Sequence, residues 1–180
     1  MPPNFTAERK FHQQGLMRVA GLDEAGRGAW AGPVVAAAVI LPPPSKGLLA
    51  ALRGVNDSKQ LTPRQREALA PRIEALALAR ALGQASAREI DRLGIVAATC
   101  EAMRRALAAL SLQPSALLLD AFALPGNSLP QRAIVRGDSL SYSIAAASII
   151  AKVSRDAILR ELDARHPGFG FAQHKGYGTA

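Results

Sequence analysis

The sequence predicts an α/β fold in which a mixed sheet is flanked by helices within a single domain. Three observations predict it. Short apolar runs of strand type, Met17 to Leu22, Val34 to Leu41 and Ala116 to Asp120, are interleaved with segments of helical periodicity. The helical segments open on capping sequences. The length of 180 residues suits one domain, large enough to bury roughly 70% of its unfolded surface. With 49% hydrophobic and 20% charged residues, the chain has enough apolar material to fold without a metal or disulfide staple.

Taken in order, a polar lead from Met1 to Gly15 precedes the first two strands. The turn Ala25 to Pro33 joins them as a hairpin and carries Arg27 at the connection. Pro42-Pro43-Pro44 then breaks the pattern, and a loop through Asn56-Asp57-Ser58-Lys59 leads to a helix from Thr62 to about Leu76. Thr62 can cap that helix, Pro63 suits its first position and Gln65 completes a capping box. Ala79 to Gln84 reads as a short strand. Ser86 with Glu89 begins a second helix, which bends near Gly94 and continues to Leu110 with apolar positions at helical spacing. Pro114 ends the helical region before Ala116-Leu117-Leu118-Leu119-Asp120, a fully apolar strand closed by an acid. Ala133-Ile134-Val135 is a further strand, closed by Gly137-Asp138-Ser139, and Ser141 to Ala164 reads as a long helix rich in Ala and Ile.

The net charge is +8 and the isoelectric point about 10.5, as a phosphate-rich partner requires. Cys100 is the only cysteine, which excludes an internal disulfide framework and a CxxC zinc site and agrees with a reducing cytoplasm. No apolar run reaches the ~20 residues of a membrane span, and the polar lead lacks a signal-peptide core. A soluble, cytoplasmic protein is expected, and nothing asks for more than a monomer.

Asp23, Glu24, Asp120 and Asp138 share one context, an apolar run ending in acid. Carboxylates gathered at strand ends repel one another unless cations neutralise them, and oxygen-only ligands favour Mg²⁺ or Mn²⁺ over zinc. Two such ions about 3.5–4 Å apart can activate a water and stabilise the departing oxygen of a phosphodiester. In a regular strand Asp23 and Glu24 point to opposite faces, so joint ligation calls for twist, a bulge or strand termination. Gly26 and Gly28 allow close backbone approach to a ligand, and Arg27 between them offers a forked cation. Cys100 reads as a helix core residue, His12 as part of the lead, His166 as a helix-end residue and His174 as an exposed loop residue. No histidine is assigned to catalysis.

The ordered segments Gly21-Leu22-Asp23-Glu24-Ala25-Gly26-Arg27-Gly28, Asn56-Asp57-Ser58-Lys59-Gln60-Leu61, Gly137-Asp138-Ser139, Ala146 to Asp156 and Gly176-Tyr177-Gly178-Thr179 closely resemble bacterial ribonuclease HII. The resemblance spans nearly the whole chain. It implies a ribonuclease H-like fold and metal-dependent endonucleolytic cleavage of RNA in RNA/DNA hybrids. It also implies cleavage 5′ of a single ribonucleotide embedded in duplex DNA, leaving 3′-hydroxyl and 5′-phosphate ends, as needed for ribonucleotide excision repair. On this likeness Asp23, Glu24, Asp120 and Asp138 are the catalytic, metal-binding carboxylates. Gly26-Arg27-Gly28 recognises the ribose 2′-hydroxyl, Tyr177 stacks on the following sugar, and Lys59 and Lys152 contact phosphates. A sliding-clamp partner stays open.

The chain departs from the resemblance at Ala121 to Pro125, where many relatives have a glycine-asparagine turn, and at Gly94, where asparagine is common. It also stops at Ala180, so the usual C-terminal segment is expected to be missing from the domain at 1–180. The sister family ribonuclease HIII is the second enzymatic reading; its fourth acid is commonly Glu where Asp138 stands. A module that binds hybrids without cutting them is the reading from a different class.

Overall fold

The computed structural model describes residues 2–178, so Thr179 of the last motif lies outside the described residues. Five strands form one sheet in the order β3-β2-β1-β4-β5, with β1 at Val19–Ala25, β2 at Val34–Ile40, β3 at Ala79–Ala85, β4 at Ala116–Asp120 and β5 at Gln131–Ile134. β2 runs antiparallel to both β1 and β3, whereas β4 is parallel to β1 and β5 to β4. The sheet is therefore mixed, as the sequence predicts.

Helices cover both faces. α5 (Ile95–Ala108) packs its Ala98, Ala102, Met103 and Ala106 against Ala20, Leu22, Ala36 and Ala38. On the opposite face α6 (Tyr142–Arg165) sets Ala145, Ala146 and Ile149 against Ala37 and Val39, backed by Leu69 and Ile73 of α3 (Pro63–Leu76). β2 has no polar face because both of its faces are covered, which explains its unbroken apolar sequence. β3 lies at the sheet edge and alternates buried and exposed residues. Both capping boxes form, Thr62 with Gln65 on α3 and Ser86 with Glu89 on α4 (Ala87–Leu93). Gly94 separates α4 from α5 at the bend.

One close approach sets the position of α6. A Cβ on Gly21 would fall on the backbone of Ser143 and Ile144, so only glycine lets the helix cross β1 there. Because β1, β4 and β5 are mutually parallel, their carboxyl ends meet at one edge of the sheet, where open α/β folds place ligands.

Several elements differ from the sequence expectation. β1 begins later and runs through Ala25, because its ladder with β2 continues to Ala25 opposite Val35; both acids thus lie inside the strand. β5 ends at Ile134, and Val135, expected within it, is 74% exposed. A short helix α2 (Lys46–Ala51) follows the proline break, capped by Ser45. The polar lead contains α1 (Thr6–His12), which places Phe11 in the core beside Val19, Leu118 and Ile144. It also buries Glu8, whose Oε1 accepts from the Ser141 hydroxyl at 2.7 Å and from the Ser143 N–H at 3.0 Å. A carboxylate thus caps the N-terminus of α6 from a segment more than a hundred residues away in sequence.

Glu8→Ala leaves these buried donors unmatched and is expected to cost about 1–3 kcal/mol, or a fall of about 3–10 °C in Tm. Glu8→Gln keeps a carbonyl acceptor and retains most of that stability. Thermal unfolding of the two variants checks the pair, and equal loss in both would show that acceptor geometry is not what matters.

Candidate active site

Asp23 comes from β1, Asp120 from the last position of β4, and Asp138 from the 3-10 turn Gly137–Ser139 that follows β5. Each offers a carboxylate oxygen, and these oxygens lie within 4.8 Å of one another. Two local bonds fix the group. Asp120 Oδ1 accepts from the Gly137 N–H at 2.7 Å, which ties the turn to β4, and Asp23 Oδ1 accepts from the Glu24 N–H at 2.8 Å.

Glu24 stands apart from these three aspartates, as strand alternation requires. Its Oε1 is 3.7 Å from Arg27 Nη1, and its Oε2 is buried without a partner among the described residues. It shares with Asp23 and Asp120 the wall of a cavity of about 520 Å³, also lined by Gly26, Arg27, Gly28, Lys59, Lys152 and Tyr177. Asp138 does not line this cavity; with Lys59 and Asp120 it borders an adjoining one of about 810 Å³, so the two aspartate-lined cavities share Lys59 and Asp120.

The electrostatics follow from burial and crowding. Desolvation, then the charges of Glu24, Asp120 and Asp138, pushes the Asp23 carboxyl well above its ordinary range, against the Glu24 N–H. Asp138 is pushed up to about 6, by burial first and then by Asp120 and Asp57, against the pull of Lys59. Glu24 is also raised by burial, with Arg27 opposing. The Lys59 ammonium lies 3.7 Å from Asp138; burial disfavours its charge, but the surrounding carboxylates prevail and its pKa is raised. Three crowded aspartates and an orphaned glutamate oxygen form an oxygen-only donor set with an excess of negative charge, which fits a hard divalent cation.

Gly26 and Gly28 differ physically. Gly26 has φ +102°, and a Cβ there would strike the Arg155 side chain, so the fold itself demands glycine. Among the described residues nothing lies within 4 Å of a Cβ placed on Gly28, so its bareness leaves room beside the cavity. Arg27 lies over the Phe122 ring at 4.9 Å. Phe122 follows Ala121, which adopts φ 62°.

Comparison with known proteins bears directly on this arrangement. Residues 20–180 match the family model described as Ribonuclease HII. The chain belongs to the ribonuclease HII family. The Geobacillus kaustophilus ribonuclease HII is 55% identical over 172 residues, covering 96% of this chain and 64% of that protein. The Chloroflexus aurantiacus ribonuclease HII is 53% identical over 180 residues, all of this chain and 85% of that protein. The chain spans a little under two thirds of the length of the Geobacillus relative. Among solved structures, ribonuclease H2 from Pyrococcus horikoshii OT3 superposes with a TM-score of 0.73 at 31% identity, covering 91% of this chain and 82% of that one. Bst-RNase HIII, solved in complex with Mn²⁺, gives 0.66 at 26% identity, covering 86% and 56% respectively.

In this ribonuclease HII family member the remaining predicted residues are held in specific ways. Lys152 Nζ donates to Asp156 at 2.7 Å and lies 5.4 Å from the centre of the Tyr177 ring. Asp156 also faces Arg66 of α3 at 3.7 Å. Tyr177 follows a turn organised by His174, which is not the free loop residue that the sequence suggests. It closes the short helix α7 (Phe171–His174), and its Nδ1 accepts from the Gly176 N–H at 2.9 Å while Nε2 is 2.7 Å from the Phe169 carbonyl. Those contacts require the neutral tautomer with the proton on Nε2.

Sequence reading missed Arg155. It is fully buried, and its guanidinium donates to the carbonyls of Pro33 at 2.9 Å, Ala31 at 2.9 Å and Lys175 at 2.8 Å. One side chain thus joins the loop after Gly26-Arg27-Gly28 to the turn before Tyr177. The only signal in the sequence is an arginine on the apolar face of α6.

Carboxyl groups raised in the folded state stabilise it below their unfolded pKa, near ~4, and that contribution is lost as pH rises through the folded value, about 6 for Asp138. The metal-free protein is therefore expected to lose Tm across this range. Asp138→Asn should be the more stable protein in EDTA at pH 7.5, and Mg²⁺ or Mn²⁺ should raise the wild-type Tm more than the variant's. Calorimetry with and without EDTA checks this; a variant no more stable than wild type would show that repulsion within the cluster is negligible.

Proposed function

We propose that this chain is a cytoplasmic endonuclease that hydrolyses the RNA strand of RNA/DNA hybrids and cuts duplex DNA on the 5′ side of a single embedded ribonucleotide. The observation that carries the reading is the convergence of Asp23, Asp120 and Asp138 within 4.8 Å, beside a cavity walled by Gly26, Arg27, Gly28 and Tyr177. The catalytic domain occupies residues 1–180 and acts as a monomer.

Recognition and chemistry are separated in space. The exposed backbone at Gly28, together with Gly26 and Arg27, reads the 2′-hydroxyl, the one group that marks a ribonucleotide within DNA. Tyr177 receives the sugar on its 3′ side, and Lys59 and Lys152 hold flanking phosphates. The overall charge of +8 draws the polyanion to the protein. A pair of Mg²⁺ or Mn²⁺ ions held by Asp23, Glu24, Asp120 and Asp138 would supply Lewis-acid activation of a water and of the leaving oxygen. Water adds to phosphorus as the bond to the 3′-oxygen of the preceding nucleotide breaks. One fragment then ends in a 3′-hydroxyl and the other begins with a 5′-phosphate. The 2′-hydroxyl is a handle and takes no part as nucleophile.

Incubation with labelled duplex DNA containing one ribonucleotide tests the reading, with Mg²⁺, Mn²⁺ or EDTA and an all-DNA control. Metal-dependent cutting only 5′ of the ribonucleotide is expected, lost in Asp23→Asn while binding persists. Binding of the wild type without cleavage would instead favour a module that holds hybrids. Because nothing crowds Gly28, Gly28→Ala is expected to leave Tm unchanged yet lower kcat/KM on the single-ribonucleotide duplex by about 10-fold or more. Wild-type kinetics in that variant would remove Gly28 from recognition.

A further inference from the structure

Trp30 is 89% exposed and lies two residues beyond Gly28. Single apolar residues on a surface are ordinary, but this one is held in place. Its backbone N–H donates to the Gly176 carbonyl at 2.8 Å, and the backbone N–H of Ala31 donates to the same oxygen at 3.2 Å. The six-membered half of the indole lies against Gly178, where a Cβ would come within 3.2 Å of the ring. Trp30 is thus clamped to the turn that carries Tyr177, and Arg155 ties the same two segments together from beneath through Ala31 and Lys175. Two exposed aromatic side chains are presented by adjoining turns at the rim of the candidate site, on a strongly cationic chain.

We propose that Trp30 is a second substrate-contacting aromatic residue, which packs its indole against the apolar face of a sugar in the bound duplex, next to the nucleotide received by Tyr177. The inference rests on the ribonuclease reading for the identity of the ligand. In an intact duplex the base faces are stacked on one another, so a rigid aromatic projecting from a backbone-reading loop meets sugar faces along the groove. Such a contact needs no 2′-hydroxyl. It adds affinity for duplex of any sequence, whereas Gly26-Arg27-Gly28 supplies the discrimination for ribose. An indole offers a large contact area with only two rotatable bonds to freeze, which suits this role.

Trp30 is the only tryptophan in the chain, so its emission reports on this position alone. Wild-type protein is titrated with all-DNA duplex in Mg²⁺, with binding followed by anisotropy of a labelled strand and tryptophan emission read in parallel. Emission is expected to change with the same midpoint as anisotropy. Trp30→Ala should weaken binding and raise KM on the single-ribonucleotide duplex by on the order of tenfold, with kcat and Tm kept. Trp30→Phe should recover most of the affinity. Binding and cleavage with unchanged emission, or unchanged affinity in Trp30→Ala, would overturn the assignment while leaving the ribonuclease reading intact. Failure of the wild type both to bind duplex and to cut would overturn the two together.

Discussion

The arrangement of the site depends on a buried cation, Arg155, that has no carboxylate in hydrogen-bond contact among the described residues. Its guanidinium is satisfied by three backbone carbonyls, from Ala31, Pro33 and Lys175, and faces the Tyr177 ring at 5.6 Å. Burial pulls its pKa down, opposed by Tyr177 and Asp156. A buried charge that loses its acceptors is costly, so these carbonyls are held where the guanidinium needs them. The demand propagates outward. Gly26 must lack a Cβ because Arg155 occupies that space, and the loop after Gly26-Arg27-Gly28 and the turn before Tyr177 keep a fixed separation because one side chain bonds to both.

The same helix also positions the acids. At its N-terminus Ser141 and Ser143 bond to Glu8, directly after the turn that carries Asp138, and it crosses β1 at Gly21, two residues before Asp23. Farther along come Lys152 and Arg155, roughly 20 Å of helix from the Ser141 cap. α6 therefore acts as a ruler between the carboxylate cluster and the loops proposed to read the ribose. This explains why a residue as small as glycine at position 21 has consequences for both ends of the site.

The architecture was largely legible in the sequence because the strands are short, apolar and bounded by breakers, and because two helices open with capping boxes. Boundaries failed where pairing, not local pattern, decides them. β1 continues through Asp23 and Glu24 since β2 lies opposite, although neither acid favours a strand. α1 was hidden because the residue it buries most completely is Glu8, which in sequence looks like any solvated acid until Ser141 and Ser143 are known to face it. Arg155 and His174 were hidden for a related reason. Their partners are backbone atoms, which leave no trace of residue type, and for Arg155 two of the three lie more than a hundred residues away. Asp23, Asp120 and Asp138 were legible as a set because each follows an apolar run, and the parallel strands β1, β4 and β5 bring those runs' carboxyl ends together.

Strand alternation resolves how adjacent acids can serve one site. Asp23 points toward the face on which α6 packs and joins Asp120 and Asp138, while Glu24 points away from it. Because Asp23 and Glu24 are neighbours in a regular ladder with Ala37 and Ala36, no bulge is needed to accommodate them. Glu24 instead lies between the aspartates and the turn that carries Arg27. One oxygen faces Arg27, the other is buried and unpartnered, and both Asp120 and Arg27 act on its charge. An acid so placed links the two halves of the cavity electrostatically. A cation held among the aspartates would compete with Arg27 for Glu24, which would couple the proposed metal site to the Gly26-Arg27-Gly28 turn through a single carboxylate. Adjacent acids on opposite faces of β1 are what place one carboxylate with the aspartates and the other beside Arg27.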